Sequence, residues 1–96
     1  MKRFHWSQEK NQKLKDERGI SFEEIVVAIQ DGLVIEVVPH SNQKKYPKQF
    51  VYVVQIKDYI HLIPFVEENE ETIFLKTIIP SRKATKHYLK RKEDEP

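Results

Sequence analysis

The side chains best suited to chemistry cluster late in the chain, in the stretch from Phe74 to Lys90. Lys76 precedes Pro80, and Arg82, Lys83 and Lys86 follow it. No acid occurs between Ser81 and Lys92, whereas Glu67, Glu68, Glu70 and Glu71 crowd one turn, so the molecule has a positive end. Arg82, at the first position of a helix capped by Ser81, can offer a phosphate a two-pronged guanidinium fork. Free N–H groups at that helix start would add partial positive charge, and Lys83 and Lys86 would add point charges. Lys76 falls on the Phe74 and Ile78 side of its strand, where an apolar residue fits the pattern. It either snorkels to water or aims its charge into a site. A solvated cationic helix face explains the same residues without any ligand.

Proton carriers are fewer. His40, between Pro39 and Ser41 and close to Lys44, Lys45 and Tyr46, could act as a general acid or base near neutral pH. A surface loop histidine without function is the commoner explanation. Glu23 is open as a base. His61 alternates with Tyr59 and Ile63, which points to a place on a sheet face, and His87 and Tyr88 are expected to pack against the sheet. Tyr46 and Tyr52 could stack a base or donate a hydrogen bond. The four histidines are scattered and there is no cysteine, so neither a metal site nor a disulfide is expected. The two glycines both fall at helix ends, which excludes a phosphate-cradling glycine loop. No cofactor is expected.

The elements that must position these groups are marked by caps and periodicity. Phe4 to Trp6 forms a short strand. Ser7 caps a polar surface helix, Gln8 to Arg18, whose only apolar side chain is Leu14 and which ends at Gly19. Ser21 and Glu24 form a capping box, with Ile20 and Ile25 placed as a hydrophobic staple. Phe22, Ile25, Val26 and Ile29 then give this second helix one apolar face, and Gly32 closes it. Strands follow at Leu33 to Val38, Phe50 to Ile56, Tyr59 to Val66 and Thr72 to Ile79. The second and third are joined by Lys57 and Asp58 as an antiparallel hairpin. Pro64 cannot donate a ladder bond and therefore marks an edge or a bulge. A basic helix runs from Arg82 to about Lys90. The order predicts an α+β fold, with a mainly antiparallel sheet of about four or five strands, two N-terminal helices and a C-terminal basic helix.

A chain of 96 residues, 39% hydrophobic and 33% charged, supports one folded domain with a modest core. That domain is expected to cover residues 1–92, with 93–96 as a frayed tail. A net charge of +2 is too small to mark a nucleic-acid binder without the asymmetry described above. The N-terminus lacks the apolar run of a signal peptide and no segment is long enough to cross a bilayer, so a cytoplasmic protein without membrane contact is expected.

Three marks together resemble the BrnT-type toxins of type II toxin–antitoxin modules: Trp6-Ser7-Gln8-Glu9-Lys10-Asn11, Gly19-Ile20-Ser21-Phe22-Glu23-Glu24, and Ile78-Ile79-Pro80-Ser81-Arg82-Lys83-Ala84-Thr85. They occur in the family's order and span nearly the whole chain. The resemblance implies a RelE-like fold and metal-independent endoribonuclease activity that blocks translation. It also implies neutralisation by a small DNA-binding antitoxin, in a toxin–antitoxin heterotetramer or beside a toxin homodimer. Arg82 and Lys83 match the family's basic pair, and Glu23 matches its acidic residue after Ser-Phe. Glu17-Arg18-Gly19 stands where the family commonly has Lys-His-Gly, which puts Arg18 at the position of a candidate catalytic histidine. Gln49 stands where an arginine is frequent, and Leu75 and Thr77 replace arginines of the last strand.

Metal-free RNA cleavage needs a base for the ribose 2′-OH, cations for the charged phosphorus centre and an acid for the leaving 5′ oxygen. On this reading Arg82 and Lys76 stabilise charge, Arg18 or Lys83 assists, and His40 or Glu23 carries the proton. Lys83, Lys86, Lys44, Lys45 and Tyr46 bind RNA. The alternative is a catalytically degenerate module that binds an antitoxin or a nucleic acid.

Overall fold

The computed structural model describes residues 2–89. Along the chain lie β1 (Arg3–His5), α1 (Gln8–Arg18), α2 (Phe22–Gln30), β2 (Val34–Pro39), β3 (Gln49–Ile56), β4 (Tyr59–Glu67), β5 (Thr72–Leu75), β6 (Ile79–Pro80) and α3 (Arg82–Tyr88). The fold is α+β. Its six-stranded sheet has the order β1-β5-β4-β3-β2, and β6 pairs with β4 beyond the end of β5. The sheet is mixed and has six strands where four or five were expected. β1 runs parallel to β5, with Phe4 opposite Ile73, and so covers an edge that would otherwise be open. The other pairs are antiparallel.

The helices begin and end on their sequence signals. Ser7 accepts from the Lys10 N–H at 3.1 Å, and Gly19 leaves α1 in the left-handed region at φ 65°, its N–H bonded to the Lys15 carbonyl. Ser21 accepts from the Glu24 N–H at 3.2 Å, while its hydroxyl donates to the Glu24 carboxylate. Ile20 and Ile25, the two ends of the staple, are both buried. Leu14 anchors α1 as its spacing predicts. Asn11, only 1% exposed, is an unexpected second anchor. Its carboxamide accepts from the Phe22 N–H and donates to Glu23, both at 2.8 Å, which joins α1 to the start of α2.

α1 and α2 share one face of the sheet. There Phe22, Ile25 and Ala28 meet Val54, Ile63, Phe65, Ile73, Leu75 and Ile78, with Trp6 stacked on Phe22. The opposite face carries Val51, Val53 and Leu62, which line an apolar groove together with Ala84, His87 and Tyr88 of α3, and His87 stays exposed.

The expected strand Thr72 to Ile79 is interrupted, and Pro64 is the reason. The Pro64 carbonyl accepts from the Lys76 N–H at 2.8 Å, but its ring nitrogen cannot return the second bond of that pair. The chain leaves the ladder over Lys76, Thr77 and Ile78. Pairing resumes one residue out of step: Phe65 faces Leu75, whereas Leu62 faces Ile79. The slip changes which residues point inward, from Ile73 and Leu75 to Ile78. Lys76 therefore does not share a face with Ile78. It projects on the α3 face, where its ammonium donates to Gln49 Oε1 at 3.3 Å.

α3 is pinned to β4 by one side chain. Thr85 Oγ1 accepts from the Ile60 N–H at 2.9 Å and donates to the Ser81 carbonyl at 2.7 Å. Thr85→Val removes both bonds while keeping the shape. The expected cost is about 1–3 kcal/mol in chemical denaturation, with Thr85→Ser close to wild type. Equal stability of Thr85→Val would show that the Ile60 N–H finds another partner. The continuation of the basic helix to Lys90 and Lys92, the domain limit at 92 and the tail at 93–96 lie outside the described residues.

Candidate functional site

The basic residues of the sequence reading fall into three separate places. His40, Lys44, Lys45 and Tyr46 form a loop between β2 and β3. In it the His40 Nδ1 accepts from the Asn42 N–H at 2.9 Å, its ring lies 4.6 Å from that of Tyr46, and the Lys45 ammonium sits 5.4 Å over the Tyr46 ring. These contacts shape a loop. His40 bonds through its backbone to Gln49, and Gln49 lies five residues along β3 from Val54, the partner of His61. That is about 17 Å of strand.

Arg82, Lys83 and Lys86 occupy α3, all exposed. Arg82 makes no ion pair or side-chain hydrogen bond among the described residues. Lys83 lines the apolar groove between α3 and the sheet. At seven residues, α3 sums few peptide dipoles, and the Ala84 N–H is already taken by Ser81 Oγ. Anion attraction here therefore rests on side chains and not on the helix end. Lys76 is anchored opposite Pro64, and Ser81 opposite Ile60. The four steps along β4 from Ile60 to Pro64 span about 13 Å, which sets the backbones of Lys76 and Ser81 well apart.

Glu23 sits in the first turn of α2. The hydrogen bond from Asn11, followed by its own backbone N–H, holds its carboxyl below the ordinary carboxylate value. A carboxylate stabilised in this way is a weaker base, and its place is structural.

Arg18 has the most informative surroundings. Its Nη1 donates to the Ile78 carbonyl at 2.9 Å, fixing the guanidinium at the irregular link between β5 and β6. The bond engages one of five N–H donors. Beside it lies a cleft of about 450 Å³, bounded by Arg18, Glu24, Lys57, Tyr59, His61 and Pro80. Pro80, which faces His61 across the β4–β6 pair, leads directly into Ser81 and Arg82. Ser81 and Lys83 line the groove on the other face of the sheet, so Pro80 is where the chain passes from the cleft to the basic junction.

His61, placed on the α1–α2 face as its alternation predicts, supplies the group that sequence reasoning missed. Its Nδ1 is sealed from solvent and has no hydrogen-bond partner. Burial lowers its pKa from the ordinary 6.5. The Tyr59 backbone and the Glu24 charge act in the opposite direction. The ring edge meets Tyr59, with centroids 5.8 Å apart. Alternation alone could not bring out this environment, because Arg18 and Glu24 reach it from elements far away in the chain.

Among the described residues no group of His, Asp and Glu is arranged to hold a metal ion, and no helix is long and apolar enough to cross a membrane. No protein-family model, curated protein or solved structure matches the chain.

Proposed function

We propose that this chain is a BrnT-like toxin of a type II toxin–antitoxin module, with a RelE-like fold. It cleaves RNA without a metal and is neutralised by a small DNA-binding antitoxin in the cytoplasm. One observation carries the reading: Arg18, at the family's histidine position, is anchored on Ile78 and lines a cleft that opens beside the Pro80–Arg82 junction. The meeting of the three sequence marks supports it. Trp6 stacks on Phe22, Asn11 bonds Phe22 and Glu23, and Ile20, Phe22 and Ile78 share one core cluster. The residues that carry the resemblance therefore form one packed unit.

In this scheme Arg18 and Arg82 neutralise charge at the scissile phosphate, while Lys76, Lys83 and Lys86 hold flanking phosphates. The test is cleavage of single-stranded RNA by the purified protein, together with growth after induced expression with and without an antitoxin. Growth arrest and cleavage, both relieved by the antitoxin, are expected. On uncleaved substrate analogues, Arg82→Ala and Lys76→Ala should each lessen the salt slope of binding by about 0.7. Unchanged slopes would remove these two side chains from the RNA path, and intact RNA would remove the ribonuclease.

A binding module without catalysis is the second reading, favoured by the outer edge of β2. β2 pairs only with β3, and Ile35 and Val37 stay 43% and 48% exposed along it. An antitoxin strand could add to this edge. Tight antitoxin binding with no cleavage would select this reading.

A further inference from the structure

We propose that the cleft bounded by Arg18, Glu24, Tyr59 and His61 receives a phosphate group of the RNA, and that His61 is the proton carrier of the cleavage step. This rests on the ribonuclease reading for its substrate, but the site stands on its own geometry. Of the two ring nitrogens only Nδ1 is sealed. Nε2 is not sealed in this way and is the atom offered to a ligand. Arg18 is held by one N–H and keeps the rest of its guanidinium for an anion. The charged and titratable groups that line the cleft with the ring, among the described residues, are Arg18 from α1, Glu24 from α2, and Lys57 and Tyr59 from the β3–β4 hairpin, and Pro80 comes from β6. Arg18 and Lys57 offer cationic groups to an anion in the cleft, while Glu24 is the charge that acts on the ring itself and stabilises the imidazolium that forms during the reaction.

The chemistry balances without a co-reactant. The neutral Nε2 takes the proton of the ribose 2′-OH as the 2′ oxygen bonds to phosphorus. The bond from phosphorus to the 5′ oxygen then breaks, its electron pair stays on that oxygen, and the imidazolium returns the proton to it. The products are a 2′,3′-cyclic phosphate and a 5′-OH. Burial favours the neutral ring, and in the tautomer whose proton sits on Nδ1 the Nε2 lone pair is ready for the first transfer. His40, by contrast, has its Nδ1 committed to the Asn42 N–H.

Two measurements test the proposal separately. The His61 ring is titrated by NMR with and without inorganic phosphate. Phosphate should raise the pKa of His61 in the wild type and have no effect on it in Arg18→Ala. An identical wild-type titration in both buffers would overturn the phosphate site. Cleavage of single-stranded RNA is then compared across pH for wild type and His61→Gln, with thermal unfolding confirming that both are folded. The variant should lose about 10²–10⁴-fold in rate together with the acidic limb of the profile. A folded His61→Gln that cleaves at the wild-type rate with the same limb would overturn the proton-carrier role. Should the wild type leave RNA intact, the toxin reading and the proton-carrier role both fall, and the phosphate titration alone decides the site.

Discussion

Replacing Asn11 by alanine is expected to lower the unfolding midpoint by roughly 10–20 °C. Asn11 satisfies the Phe22 N–H and donates to Glu23, and alanine leaves that buried N–H without a partner. The loss of a buried bond with desolvation left unpaid amounts to about 2–3 kcal/mol, and each kcal/mol shifts a domain of this size by about 4–8 °C. Asn11→Asp separates the two bonds. It keeps an acceptor for Phe22 but sets a second carboxylate against Glu23. Its stability should therefore rise as pH is lowered through the carboxylate range, because protonating one of the pair relieves the repulsion. The wild type behaves in the opposite sense at this contact. The Glu23 carboxyl is held below the ordinary 4.5, so its contribution is present above that value and is lost as pH falls through the folded one. Thermal unfolding against pH checks both signs, and an Asn11→Ala midpoint within a few degrees of wild type would show that water replaces the carboxamide.

On the proposed ribonuclease reading, Arg18→Ala is expected to lower RNA cleavage by about 10²–10³-fold, the usual effect of removing one well-aligned group that stabilises developing charge. Its structural cost is smaller. One hydrogen bond to the Ile78 carbonyl is lost, worth about 1 kcal/mol, or about 4–8 °C in the midpoint. Arg18→Lys keeps the charge but not the planar fork, and should fall between wild type and alanine. Steady-state cleavage and thermal unfolding on the same preparations separate catalysis from stability. Wild-type cleavage by a folded Arg18→Ala would take the cleft out of the mechanism and return the chemistry to Arg82.

The local elements were legible because their signals are local. Ser7, Gly19, Ser21 and Glu24 act on backbone groups within four residues, so the boundaries of α1 and the start of α2 follow from short-range chemistry. The β3–β4 hairpin is equally local, with Val54 and His61 paired across a short turn. Pro64 announced a bulge, since proline lacks the donor that a continuous ladder needs. Its consequence for Lys76 was not legible. The one-residue slip after Leu75 reverses the inward parity, and periodicity read along a single strand assumes that no such slip occurs.

The sequence by itself therefore determined the α+β class, the caps, the inward face of β4 and the positive end that begins at Arg82. Only the tertiary structure decided which charges meet. It set Lys76 on the α3 face and Arg18 against Ile78, and it kept the His40 loop at the far end of β3 from His61. It also showed that a histidine predicted merely to occupy a sheet face has a sealed, unpaired Nδ1 beside an arginine and a glutamate. The physical reason is separation along the chain. Arg18, Glu24, His61 and Pro80 come from four different elements, and nothing in their local spacing encodes the packing of α1 and α2 over one end of the sheet.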